Sequence, residues 1–230
     1  MGNVLSVPVT KVLEDGTKEN IDRKILKEYT VHLICNGEGI LDIDCTNFNL
    51  KELVVGRLFA DKKISCFSEV ESIEINKIND NEANAVVSLN ETRNEIKISN
   101  SPIEIDHDAI LNIINSFSKG SKLHNETTST HSCYLAVANE TVFETEDISR
   151  HNAVDKAVGY MLINNLNPAD CILYSSGRVP LDMIEKVGDA DIPILVAKAL
   201  PTDKAIQYAK DNDIVLIARA RNGEYEIFNQ

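Results

Sequence analysis

From residue 171 onwards short apolar runs alternate with amphipathic ones, and no other feature narrows the fold of this chain as much. Residues 171–175 read as a strand. They run into Ser176-Gly177, and Pro180 then opens a helix that ends at Val187-Gly188, because proline suits a first turn and glycine ends one. Residues 193–197 form the next strand, Pro201-Thr202-Asp203 opens the next helix, and 214–218 is a third strand. Asn222-Gly223 turns that strand into residues 225–228 as a terminal hairpin. A helix between two strands uses up the connection, so the strands lie parallel and the helices cover the sheet. The pattern predicts a three-layer α/β domain with at least two parallel strands.

Upstream, residues 134–138 and 142–145 form a hairpin across Asn139-Glu140. The helix at 151–166 carries Val154, Ala157, Val158, Met161, Leu162 and Leu166 on one face, which predicts an amphipathic helix. Nearer the amino end, residues 29–36 run into Asn36-Gly37 and resume at 40–44, a hairpin signal. Leu50, Leu53, Val54, Leu58 and Phe59 then follow at helical spacing. Residues 70–78 alternate as a half-buried strand, and 85–89 is expected to pair with 95–99. Ile110, Leu111, Ile113, Ile114 and Phe117 mark one short helix, and the polar stretch 118–130 reads as a long loop. The expected division is an α+β subdomain at 1–117, a loop at 118–130 and an α/β domain at 131–230.

Composition removes several classes of function. With 23 basic against 36 acidic residues the formal net charge is −13, and both halves of the chain are acidic. Nucleic-acid binding rests on a basic surface that displaces counterions, so it is not expected. No apolar run approaches the roughly 20 residues of a membrane helix, and no basic stretch leads into an apolar one as in an export signal. A cytoplasmic protein is expected. The five cysteines, separated by 10, 21, 67 and 38 residues, match neither a disulfide framework nor a zinc pattern.

In open α/β sheets ligands bind beyond the carboxyl ends of the strands. Ser176-Gly177-Arg178 follows the first strand, and Arg219-Ala220-Arg221-Asn222-Gly223 follows the third. Arg150 and His151 stand at the start of the helix at 151, so four of the seven arginines gather at strand ends or helix starts. Guanidinium forks, glycine-turn amides and helix N-termini are parts of a phosphate site, although surface ion pairs with the abundant carboxylates explain the arginines equally well. His131-Ser132-Cys133 brings an imidazole and a thiol together, making Cys133 a candidate nucleophile with His131 as its base, against the plainer reading of a buried strand cysteine.

The run Glu146-Asp147-Ile148-Ser149-Arg150-His151-Asn152-Ala153-Val154-Asp155-Lys156-Ala157-Val158-Gly159 resembles the signature E-D-[VI]-G-R-H-N-A-[VL]-D-K of the formate dehydrogenase accessory sulfurtransferase family, the FdhD/NarQ type. Ser176-Gly177-Arg178, Asp191-Ile192-Pro193-Ile194-Leu195 and the segment from Asn36-Gly37 to Gly56 are similar to further family motifs, so the resemblance runs from about residue 28 to the end. It implies a cytidine deaminase-like fold in the second domain, a homodimer, and transfer of sulfur from a cysteine desulfurase. The recipient is the molybdenum or tungsten bis-pyranopterin guanine dinucleotide cofactor, before its insertion into formate dehydrogenase. GDP would be a partial mimic of that cofactor. The family's guanine-nucleotide loop maps onto Arg219, Ala220, Arg221, Asn222, Gly223 and Glu224, in agreement with the strand-end arginines, and Arg150, His151, Lys156, Ser176, Gly177 and Arg178 are the further residues expected to bind the cofactor.

The chain also departs from that pattern. It has no C-x-x-C pair and no cysteine between Cys66 and Cys133. Thr127-Thr128-Ser129-Thr130-His131 stands where the family has T-G-G-x-H, and Ser149 replaces the glycine of G-R-H. Two readings follow: Cys133 has taken over as persulfide carrier, or the protein is a cofactor- or partner-binding paralogue without sulfurtransferase activity.

Overall fold

The computed structural model describes residues 3–90 and 105–229. In chain order the elements are β1 (Val4–Val12), β2 (Lys18–Leu26), β3 (Tyr29–Cys35), β4 (Glu38–Cys45), α1 (Leu50–Ala60), β5 (Val70–Lys77) and β6 (Glu82–Leu89). There follow α2 (His107–Lys119), α3 (Lys122–Thr127), β7 (His131–Val137), β8 (Glu140–Asp147), α4 (Arg150–Ile163) and β9 (Cys171–Ser175). The last are α5 (Leu181–Asp189), β10 (Ile194–Ala197), α6 (Asp203–Asp211), β11 (Val215–Arg221) and β12 (Glu224–Ile227).

The strand and helix alternation builds the expected α/β sheet. Six strands lie in the order β12-β11-β10-β9-β7-β8, with β9, β10 and β11 mutually parallel and hairpins at both edges. One face, with Leu135, Leu173, Leu195 and Leu216, packs on α4, α5 and α6. The other, with Tyr134, Tyr174, Val196 and Ile217, packs on Ile110, Ile113 and Ile114 of α2. Successive strand residues point to opposite faces, so a strand covered on both sides must be apolar throughout, and all five residues of β9 are buried.

A second sheet, β4-β3-β6-β5, carries α1, and α1 lies directly against α4. The approach is backbone to backbone. A Cβ on Gly56 would sit 1.8 Å from the Asp155 carbonyl oxygen, and one on Gly159 would sit 1.9 Å from that of Glu52, so both positions require glycine. For this reason α4 buries more than the one face that its apolar stripe predicts. It is enclosed between α1 and the sheet, and Asn152, Asp155 and Lys156 on its other faces are buried as well.

Two further expectations change. Residues 118–130 are not one loop: α2 extends to Lys119 and α3 fills Lys122–Thr127. The polar composition is accounted for by hydrogen bonds, since the buried Glu146 carboxylate accepts from Leu123 N, His124 N and Thr130 Oγ1. The helix at 107–119 packs on the six-stranded sheet, so the first unit does not extend to residue 117. β6 pairs with β3 on one side and β5 on the other, and the sequence pattern pairs its residues 85–89 with 95–99. Residues 95–99 themselves lie outside the described residues.

Candidate functional site

Most of the 146–159 motif holds the two sheets together. Asp147 is fully buried and lies 2.7 Å from the Lys156 ammonium, itself fully buried. Lys156 also donates to Thr46 Oγ1 (2.7 Å) and lies 4.4 Å from the Phe48 ring centroid. Thr46 N and Asn152 Nδ2 donate to the Asp147 carboxylate, and Asn152 reaches across to the Asp44 carbonyl. An ion pair withdrawn from water survives only when its remaining donors and acceptors are met, as they are here. Lys156, expected among the cofactor contacts, is thus sealed inside the seam between the sheets, out of reach of a ligand.

The expectations for Cys133 also change. Its thiol is fully buried in the core beneath α4, and burial pushes it far up, with the nearby Asp155 carboxylate adding to the shift. A thiol held protonated and enclosed is no nucleophile. Burial likewise pushes Cys45 and Cys171 up to about 12, and Cys35 is buried and raised too. Cys66 alone is half-buried, in the first unit, with its sulfur 3.1 Å from Ser68 Oγ. His131 therefore has no thiolate to generate. Its Nδ1 lies 3.4 Å from Ser176 Oγ instead.

The carboxyl ends of β9, β10 and β11 and the start of the antiparallel β7 lie along one margin of the sheet, because Cys133 pairs with Ser175 and Ser175 with Ala197. That margin collects the cations, in two groups. At the β11–β12 end, Arg219, Arg221, Asn222, Glu224, Tyr225 and Glu226 line a shallow polar groove of about 260 Å³. Arg219, Asn222 and Gly223 have φ of 50°, 54° and 78°, which breaks the strand register between Ala218 and Arg221 and closes the hairpin. Arg219 is half-exposed and 3.3 Å from Glu226, whereas Arg221 has no carboxylate partner among the described residues. The Ala220 side chain is buried in the second core and its carbonyl accepts from Tyr174 Oη, so of this residue the groove receives no side chain.

The other group stands where β7 begins and β9 ends. There His131 lies beside Ser176 and within the electrostatic reach of Arg150, Arg178 and His124 of α3, and Gly177 packs on the Arg150 side chain. Burial, then the positive charges of Arg150, His124 and Arg178, hold the His131 imidazole below its ordinary value. The Arg150 Nε is buried without a hydrogen-bond partner among the described residues. An unmet buried donor costs about 1–3 kcal/mol. His151 does not join either group; its Nε2 lies 3.5 Å from Asp182 of α5, with Lys186 and Arg57 nearby. Lys198, which directly follows β10, was not singled out from the sequence, although the strand-end rule that found Arg178 and Arg219 covers it equally. It is exposed at the same margin, its ammonium 5.5 Å from the Phe117 ring.

Comparison with known proteins agrees with the motif. The FdhD/NarQ family model matches residues 82–230. The chain is 34% identical over 203 residues to Protein FdhD of Methanocaldococcus jannaschii, covering 87% of this chain and 86% of that one. It is 25% identical over 240 residues to the sulfur carrier protein FdhD of Bacillus subtilis, covering 94% and 92%. In fold it is similar to a crystal structure from Desulfotalea psychrophila, of a protein described as a formate dehydrogenase accessory protein, with a TM-score of 0.85, 22% identity and coverage of 100% and 98%. With the family model matching well over half of its length and a relative this similar across most of both sequences, the chain belongs to the FdhD/NarQ family.

Proposed function

We propose that this protein is an accessory factor of formate dehydrogenase maturation that holds the guanine dinucleotide form of the molybdenum or tungsten cofactor as its cargo, without carrying sulfur on Cys133. The observation that carries the proposal is the row of cations at the carboxyl margin of the sheet in a chain of net charge −13. Arg150, Arg178, Lys198 and Arg221 have no carboxylate within ion-pair distance among the described residues. On an acidic surface a cationic margin focuses phosphate-bearing ligands onto itself. The groove at Arg219 to Glu226 is the place for the guanine nucleotide end: Arg221 offers an unengaged fork for phosphate, and Glu224 and Tyr225 offer hydrogen-bonding groups for a base. Family membership and the names of the relatives, a sulfur carrier and a formate dehydrogenase accessory protein, point the same way.

Calorimetry with GDP tests the site. The unaltered protein is expected to bind, and Arg219→Ala with Arg221→Ala to weaken binding at least tenfold, the loss expected of one or two charge-assisted hydrogen bonds. Unchanged affinity in that double variant would remove the nucleotide from the groove. The proposal includes a homodimer, which light scattering checks, and contact with formate dehydrogenase and a cysteine desulfurase, which pull-downs with each check.

The second reading is a sulfur carrier that uses another thiol, favoured by the partial exposure of Cys66. Incubation with a desulfurase and labelled cysteine, read by mass spectrometry, separates the two. No label is expected on Cys133; label on Cys66 that reaches a cofactor acceptor would establish the second reading.

A further inference from the structure

The nucleotide groove leaves the Arg150 group without a role. This group spans the ends of β9 and β7, two to three strand spacings from β11 or about 10–14 Å across the sheet, so it is a separate place. Among the described residues no carboxylate lies within ion-pair distance of Arg150 or Arg178, and the two acidic residues ahead of α4 are engaged elsewhere. Glu146 spends its carboxylate on Leu123 N, His124 N and Thr130 Oγ1. Asp147 spends its own on Thr46, Asn152, Ser149 N and Lys156. By contrast Arg57 and Arg219 each have a carboxylate, Asp61 at 2.9 Å and Glu226 at 3.3 Å.

The guanidinium of Arg150 is also held in place. A Cβ on Gly177 would lie 3.1 Å from both Cβ and Cδ of Arg150, so glycine lets the turn after β9 close tightly over that side chain. Within this setting Nε is buried and has no hydrogen-bond partner among the described residues. The residue begins α4, a helix of 14 residues whose amino end favours negative charge. Ser176 Oγ accepts from Ser132 N, which leaves its proton for His131 or for a ligand.

We propose that Arg150, Arg178, His131 and Ser176 form a second oxyanion subsite, which takes a phosphoryl group of the ligand. Two guanidinium groups act electrostatically on one imidazole, and a hydroxyl lies 3.4 Å from that ring. A planar carboxylate is filled by one fork, whereas a tetrahedral dianion has acceptors for all four. The inference rests on the cofactor-holding reading and deepens it: it gives Arg150 and Arg178, already counted in the cationic margin, a phosphate of their own, and because it uses none of the residues lining the groove at Arg219 to Glu226 it is tested separately.

The probe is inorganic pyrophosphate, added to the full chain while the His131 imidazole is followed by NMR across pH, with acetate as the carboxylate comparison and GDP in a parallel series. A bound dianion favours the imidazolium, so the depressed His131 titration moves upward and pyrophosphate binds more tightly as pH falls. Arg178→Gln, at an exposed position, is expected to weaken pyrophosphate at least tenfold, as is Arg150→Lys, while Arg219→Ala with Arg221→Ala changes it less than twofold. Thermal melts confirm that each variant is folded. The proposal fails if saturating pyrophosphate leaves His131 unmoved, if Arg178→Gln binds as tightly as the unaltered protein, if acetate binds equally well, or if the Arg219 and Arg221 variant loses pyrophosphate. Loss of GDP binding alone, with pyrophosphate and His131 behaving as expected, would overturn the nucleotide groove and leave this subsite standing.

Discussion

Two neighbouring stretches of one motif use charge in opposite ways. In the seam between the sheets, Asp147, Asn152 and Lys156 are buried with their partners close: the ion pair at 2.7 Å, the Thr46 hydroxyl at 2.7 Å, the Asp44 carbonyl at 2.8 Å. At the sheet margin, Arg150 stands two residues before Asn152 and its buried Nε has no partner among the described residues. A satisfied buried charge is a fastener, and an unsatisfied one beside solvent is an invitation to a ligand. Residue type does not separate the two; the state of the surrounding acceptors does.

The contrast is most easily broken at the seam. Lys156→Met leaves the Asp147 carboxylate buried without its cation and is expected to cost about 3–5 kcal/mol in urea unfolding, with Asp147→Leu added to it restoring part of the loss. A cost below about 1 kcal/mol would mean that the pair is no fastener. Next in size is Gly56→Ala, which forces a Cβ against the Asp155 backbone and separates α1 from α4, expected to cost about 1–3 kcal/mol or more. Cys133→Ala removes a buried sulfur and is expected to cost about 1 kcal/mol while sulfur labelling of the protein is unchanged. The margin should respond in the reverse manner: Arg178→Gln is expected to change stability by less than about 0.5 kcal/mol while weakening pyrophosphate binding.

The smallest effect is in pH. Burial lowers His131 and His151 below their ordinary values, so the folded chain binds fewer protons than the unfolded chain between the lowered values and about 6.5. The stability these residues contribute is present above about pH 6.5 and is lost as pH falls through the lowered values. Paired urea melts above and below that window should show a smaller acid loss for His131→Gln with His151→Gln than for the unaltered protein. Saturating pyrophosphate should reduce the His131 share of that loss.

The second half of the fold was legible because its periodicities are local. Strand 171–175, Pro180 at a helix start and Asn222-Gly223 at a hairpin each depend on a few adjacent residues, and the register follows from them. The stretch 118–130 was not legible, because its order comes from Glu146, some twenty positions on in the chain, which clasps the first amides of α3. Likewise the apolar stripe of α4 reveals one buried face. The burial of the others depends on α1 arriving from a hundred positions away and fitting against Gly159.

By itself the sequence determined the alternating α/β order, the family motif, the absence of a C-x-x-C pair and the gathering of arginines at strand ends. Each of these is a property of neighbours along the chain, and spacing reports it directly. Tertiary structure decided which of the motif's charges face inward, that Lys156 is sealed beside Asp147, that Cys133 is enclosed, and that Arg150 is left with an unmet donor. Those outcomes turn on desolvation and on hydrogen-bond partners drawn from distant segments, and composition is blind to both.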